Sequence, residues 1–212
     1  AQLLQSGRLP LWNPYLYFGM PQAAGMQDSL YYPGTVAHFI FGFASATAIF
    51  QALHYWLAAA LTYLWTRSAG ARRGSALGAA VVVSLGGLLL ARLQFLNWLA
   101  ILSLAPSFLL FFRRPALLAV ALALAFFAGY PPYVIGCAIS AWAVAAALRP
   151  PGGRFWAPAA RDWLSAAGAA LALSGCLLLP AAELTGLSRR SAGVGSEDVF
   201  RFGFSPPDLL KW

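Results

Sequence analysis

Few side chains in these 212 residues can do chemistry, and those that can fall in two segments, 1–45 and 180–212. Asp28, in GMQDSLYYP, is the sole carboxylate of the first segment. A carboxylate there can accept a proton or a hydrogen bond from a hydroxyl group; as a turn residue it would instead cap the backbone around Ser29. Glu183 follows Pro180 in LLLPAAEL. Facing a cavity it could bind substrate or orient an arginine; facing outward it is a solvated interfacial charge. Arg189 and Arg190 come shortly after it, and Arg8 lies in the first segment. A guanidinium is a planar fork that fits phosphate oxygens. The same arginines can also be surface charges, the pair matched by Glu197 or Asp198. Trp12, Asn13 and Tyr15 form a WNPY block. Aromatic faces stack on the C–H surfaces of sugars, and an amide both donates and accepts. A proline-bounded turn can use the same Asn13 amide for backbone bonds.

These residues need a scaffold, and the stretch from Ser6 to Pro21 says what kind. It holds Pro10, Pro14, Pro21, two glycines and a run of aromatics. Proline fixes φ, lacks a donor and pushes its predecessor toward extended geometry, so this is a structured loop built to hold something. Beyond it the chain is almost wholly apolar. Sixty per cent of the residues are hydrophobic and 9% charged, with a mean hydropathy of +0.69. That excludes the ordinary soluble class, in which about a quarter of residues are charged. An all-α polytopic integral membrane protein is expected, since backbone groups in lipid must pair within helices.

The net charge of +8 follows topology rather than nucleic acid. Eight of the 14 basic residues sit in the connections at 67–73, 113–114 and 149–161; with Asp162 that face carries +7 (eight less one). The other face holds six basic residues and five acids, a net of +1 (six less five). Positive loops stay inside, so the first face is cytoplasmic and the two segments with chemistry lie outside.

Six spans are expected, at 46–66, 74–91, 97–112, 115–128, 133–148 and 162–179, the last ending at Pro180. Residues 35–44 are too short to cross and read as a surface or re-entrant helix. The organisation is thus an outer loop over 1–45, a six-span region over 46–180 and an outer loop over 181–212. The 14 residues of 115–128 reach only about 21 Å against a hydrocarbon core of about 30 Å. Trp98, Tyr130 and Tyr133 near span ends read as interfacial anchors. His54, inside a span with Gln51, reads as a packing residue hydrogen-bonded to a neighbour. Cys137 and Cys176 read as two buried small hydrophobes, and no metal spacing exists. The chain opens in an outer loop with neither Met nor signal sequence, which makes an internal fragment the expectation.

SGRLPLWNPYLYFGMP followed by YYP, then LHYWLAAALTYLWTR, NWLAILSLAPSFLLFFRRP, AGYPPY and LLLPAAELTGLSRR, resembles the bacterial YfhO-like membrane protein family. That family in turn resembles the GT-C glycosyltransferases. The resemblance implies a GT-C-like architecture in the bacterial cytoplasmic membrane. It implies transfer of a sugar from a polyprenyl-phosphate carrier to a cell-envelope glycan or polymer at the outer face. Partners would be that lipid-linked sugar, the glycan acceptor and membrane lipids, with no nucleic acid, cofactor or metal. Asp28 and Glu183 become the catalytic candidates, and Arg8, Trp12, Asn13, Tyr15, Arg189 and Arg190 the substrate-binding ones. The main catalytic acid of such enzymes follows their first transmembrane helix, which places it upstream of Ala1. The turn at Ala128–Pro132 carries Tyr130 where the family has an imidazole. A transporter or flippase of lipid-linked glycans, or a structural envelope-assembly protein, would use similar outer residues. Discontinuous spans with midplane charges would favour transport.

Overall fold

A computed structural model describes residues 11–15, 18–148 and 156–187, and among these it is all-helical apart from one isolated bridge between Asn13 and Met20. Seven main helices follow one another: α1 Phe43–Ser68, α2 Arg73–Ser84, α3 Leu96–Leu110, α4 Pro115–Ala128, α5 Pro131–Ala147, α6 Trp156–Leu173 and α7 Gly175–Leu187. Single turns at Gln22–Ala24, Pro33–Val36 and Ala37–Ile40 precede them, so 35–44 is broken into two short turns. Another turn, Gly87–Leu90, extends α2 after a break at Leu85 and Gly86.

Helix ends follow the local chemistry. Pro115 and Pro131 open α4 and α5, where a missing N–H leaves no bond unmade. Gly129 closes α4 at φ +96°, a conformation that L side chains rarely adopt. The expected straight span 162–179 is not one rod: α6 and α7 meet at Ser174 with a bend of 75°. Ser174 and Gly175 form the kind of small pair at which helices kink. The Ser174 carbonyl accepts from the N–H groups of Leu177 and Leu178, so the serine starts the second helix. Pro180 does not end a helix either; it lies within α7, which runs on to Leu187.

The first two helices turn mostly small and polar side chains inward and expose many of their large apolar ones. α1 turns Ala46, Phe50, His54, Ala58 and Thr62 inward, one residue in four, while Ile49, Leu53, Trp56 and Leu64 face out. α2 buries Ala76, Ala80 and Ser84 against its neighbours and exposes Val82 at 71%. Small inward residues let backbones approach closely, and α2 packs directly on α1. The central α3 and α4 carry most of the contiguous core, including Ile101, Phe108, Leu118 and Ala125. The 18-residue stretch Arg73–Leu90 has mean hydropathy 1.6 and is long and apolar enough to cross a membrane; α6 and α7 pass the same test only as a bent pair. The apolar helices α3, α4 and α5 are shorter.

The two ends of the bundle differ. At one end Asp162 pairs with Arg113 at 3.6 Å and with Arg161 at 3.3 Å. At the other the loop before α1 is fastened to the α4–α5 turn. The Ser29 hydroxyl donates to the Ala128 carbonyl (2.6 Å), and the Tyr130 N–H donates to the Met26 carbonyl (3.0 Å). Gln51 ties the α1 start to the Leu93 carbonyl at 3.1 Å.

Candidate functional site

Between that fastened loop, the start of α3 and the α4–α5 turn lies a cavity of about 750 Å³. Its walls come from four parts of the sequence. Trp12, Asn13, Tyr15 and Asp28 arrive from the first loop, Gln94 to Trp98 from the turn into α3, and Tyr130 from the α4–α5 turn. His38, Phe43 and Phe50 form part of the wall nearest α1. Four of the sequence candidates are thereby brought together around one space.

Among the described residues Asp28 is the only carboxylate lining it. Its side chain lies over Gly25, where any Cβ would collide with the Asp28 carboxylate. The carboxylate makes no hydrogen bond or ion pair among the described residues, so the local capping role open to a turn aspartate is not used. Partial burial without a compensating cation lifts its carboxyl above the ordinary carboxylate value. A free carboxylate, exposed on a cavity wall, is well placed to take a proton from a bound hydroxyl.

Asn13 has a second duty. Its Oδ1 accepts from the Tyr15 N–H at 3.0 Å, and its Nδ2 donates to the Gln22 Oε1 at 2.9 Å. Paired backbone bonds between Asn13 and Met20 (2.8 and 2.9 Å) close the hairpin that carries the WNPY block. The Trp12 indole packs over Gly19, where an added Cβ would sit 2.7 Å from its ring. Gly19 holds φ +113°, so both its freedom and its lack of a side chain are used. Tyr15, 92% exposed, stands at the cavity edge.

Glu183 is exposed on α7 and lines no part of this cavity, although α7 packs on the Gln22–Ala24 turn. Arg8, Arg189 and Arg190 lie outside the described residues. Cys137 is half-buried and Cys176 exposed, both free, so the expectation of two buried thiols fails for Cys176. Its helix, bent away at Ser174, leaves that face uncovered.

Residues read as anchors or packing turn out to build the site. Trp98 is stacked with Phe95 at 4.8 Å and with Tyr133 at 4.5 Å, and tilted against Tyr130 at 5.1 Å. Trp98 and Tyr130 line the cavity. The Arg92 guanidinium sits 4.5 Å from the Trp98 ring centroid. His38 lines the cavity with its Nδ1 buried and unpartnered among the described residues, and its Nε2 lies 3.4 Å from the Thr47 hydroxyl. His54 is buried behind Phe50. Its Nδ1 lies 2.6 Å from the Phe50 carbonyl and its Nε2 lies 2.7 Å from the Tyr32 hydroxyl. A carbonyl only accepts, so in a neutral ring Nδ1 carries the hydrogen and Nε2 accepts from Tyr32. Burial holds the Tyr32 phenol above its usual value and keeps that donor protonated.

Two non-glycine residues with positive φ, Ser29 (50°) and Tyr130 (55°), sit where the loop and the turn join. Such conformations cost about 1–3 kcal/mol each and persist only when their surroundings fix them. Here three parts of the chain do so. Among the described residues no group of three or more His, Cys, Asp or Glu side chains could hold a metal ion.

The chain matches no family model, no curated protein and no solved structure.

Proposed function

We propose that this chain is part of a polytopic protein of the bacterial cytoplasmic membrane, a YfhO-like glycosyltransferase of GT-C type. Its proposed reaction moves a sugar from a polyprenyl-phosphate carrier to a cell-envelope glycan at the outer face. The membrane setting is supported by the outward-facing apolar side chains. Leu164 and Leu179 are 74% and 73% exposed, while Ser103, Ser107 and His54 are buried. Water would penalise that arrangement, whereas lipid accepts it.

The observation that carries the enzymatic reading is the cavity at the end opposite the Arg113–Asp162 pairs, with its one unpartnered carboxylate. Around Asp28 stand the amides of Gln22, Gln27 and Asn97 and the rings of Trp12 and Trp98. That lining suits a sugar: flat apolar faces, amides for hydroxyls, and a base for the attacking oxygen. Asp28 takes the acceptor proton as that oxygen attacks the anomeric carbon, and the bond to the lipid phosphate breaks.

One observation favours a second reading, a flippase for a lipid-linked glycan. The 75° bend at Ser174 makes a discontinuous helix, a device of transporters. The bend carries no charged side chain of its own, and Asp162 is paired with arginines.

The test uses the full-length protein in sealed vesicles with a radiolabelled undecaprenyl-phosphate sugar and envelope acceptor. The enzyme reading expects transfer of label that falls about 100-fold or more in Asp28→Asn. Label crossing the bilayer without any transfer would reject it in favour of the flippase.

A further inference from the structure

Among the described residues no arginine or lysine lines the cavity, but Arg92 packs on Trp98, which does. Arg92 lies in the turn before α3, its guanidinium over Trp98, and Trp98, Gln94 and Phe95 are all cavity wall. Of the other described arginines, Arg113 and Arg161 pair with Asp162, Arg67 donates to the Ala71 carbonyl, and none lines the cavity. Among the described residues Arg92 has no carboxylate partner, and its buried Nε has no hydrogen-bond acceptor.

That situation is costly. A buried N–H without an acceptor forfeits its bond to water, and a charged donor forfeits more. Lysine could answer by shedding its proton, but arginine cannot. The Trp98 face offsets part of the charge without accepting any N–H bond. Trp98 is itself clamped by Phe95 and Tyr133, so the guanidinium rests on a fixed plane. A cation fixed in place, short of an acceptor and beside an open cavity is arranged for an anion. The planar fork matches two oxygens of a phosphate.

We propose that Arg92, held on Trp98, is the recognition site for a phosphate carried on a membrane lipid, with the lipid's headgroup extending into the Asp28 cavity. The site lies at the same end of the bundle as the loop–turn junction, and Gln51 pins its turn through the Leu93 carbonyl. This inference rests on the membrane reading above but does not require sugar transfer.

The test measures binding of radiolabelled farnesyl phosphate to the full-length protein in a neutral detergent without a sugar headgroup. Farnesol, which lacks the phosphate, is the control. Wild type should prefer farnesyl phosphate at least about tenfold, the worth of one charge-assisted hydrogen bond. Arg92→Gln and Arg92→Met should bring its affinity down to that of farnesol, and Glu183→Gln, exposed and away from the cavity, should leave it unchanged. Both Arg92 variants should fold, because neither removes an ion pair among the described residues. Competition by phosphatidylglycerol assigns the site to lipid phosphates in general, and its failure to compete assigns it to the isoprenyl monoester. Binding within twofold of wild type, in whichever Arg92 variant melts like wild type, overturns the proposal. Loss of binding in a protein that transfers no sugar would keep this site and sink the glycosyltransferase reading.

Discussion

Replacing Gly129 with alanine should detach the first loop from the bundle, and the geometry sets the size of the effect. Gly129 holds φ +96° and ψ −178°, a region essentially closed to L side chains. Entering it costs roughly 1–3 kcal/mol. The new Cβ would also run into the Met26 carbonyl and sit 3.3 Å from the Gln27 Cα. Backbone on both sides cannot give way as a side-chain tip would, so the loop must lift. Lifting breaks the Tyr130 N–H bond to Met26 and the Ser29 hydroxyl bond to Ala128, each worth about 1 kcal/mol net. The loss is about 1–3 kcal/mol of backbone strain, with the clash added, if the loop stays docked, and about 2 kcal/mol with a free loop if it lets go. Thermal unfolding in detergent together with limited proteolysis between residues 20 and 30 separates these outcomes. Gly168→Ala is the control, since its Cβ meets nothing within 4 Å and helix propensity favours alanine by about 1 kcal/mol. A Gly129→Ala protein that melts like Gly168→Ala, with its loop equally resistant to protease, would refute this reasoning.

Three further outcomes are expected. Gly25→Ala should leave melting within a few degrees of wild type while cutting transfer at least about tenfold, because the mobile Asp28 carboxylate can move off Gly25 but loses its position. Asp28 has a raised carboxyl value in the folded protein, so folding penalises its charged form. Stability from this group is greatest at acid pH and falls as pH rises through the folded value. Asp28→Asn should therefore melt higher than wild type at neutral pH and equal to it near pH 3, and transfer by wild type should fail on acidification before an ordinary carboxylate would titrate. Tyr32→Phe should lower stability by about 1–3 kcal/mol, because it strands the buried His54 Nε2, and chemical denaturation in detergent would measure it.

The sequence made the helices legible where punctuation is strong. Pro115 and Gly129 bracket α4 at the residues where hydropathy also ends, and Pro131 starts α5. The break at Ser174 was hidden because SAAGAALALSG reads equally well as a close-packing stripe and as a hinge. Pro180 misled for a related reason: proline ends helices in water, yet an apolar helix can continue past it with one bond missing. The cavity was partly legible. The WNPY block and Asp28 pointed to the first loop, but Trp98 and Tyr130 looked like ordinary interfacial residues, and only the docking of loop on turn makes them walls. Glu183 shows the opposite failure, since position after a span end suggested a cavity while α7 carries it outward.

The measurement that bears most directly on the site compares Asp28→Asn with Glu183→Gln in one assay of label transfer from an undecaprenyl-phosphate sugar, at matched expression. If the cavity is where reaction occurs, Asp28→Asn loses about 100-fold or more and Glu183→Gln stays within a few-fold of wild type. Full activity in Asp28→Asn, or loss confined to Glu183→Gln, would move the chemistry away from this cavity.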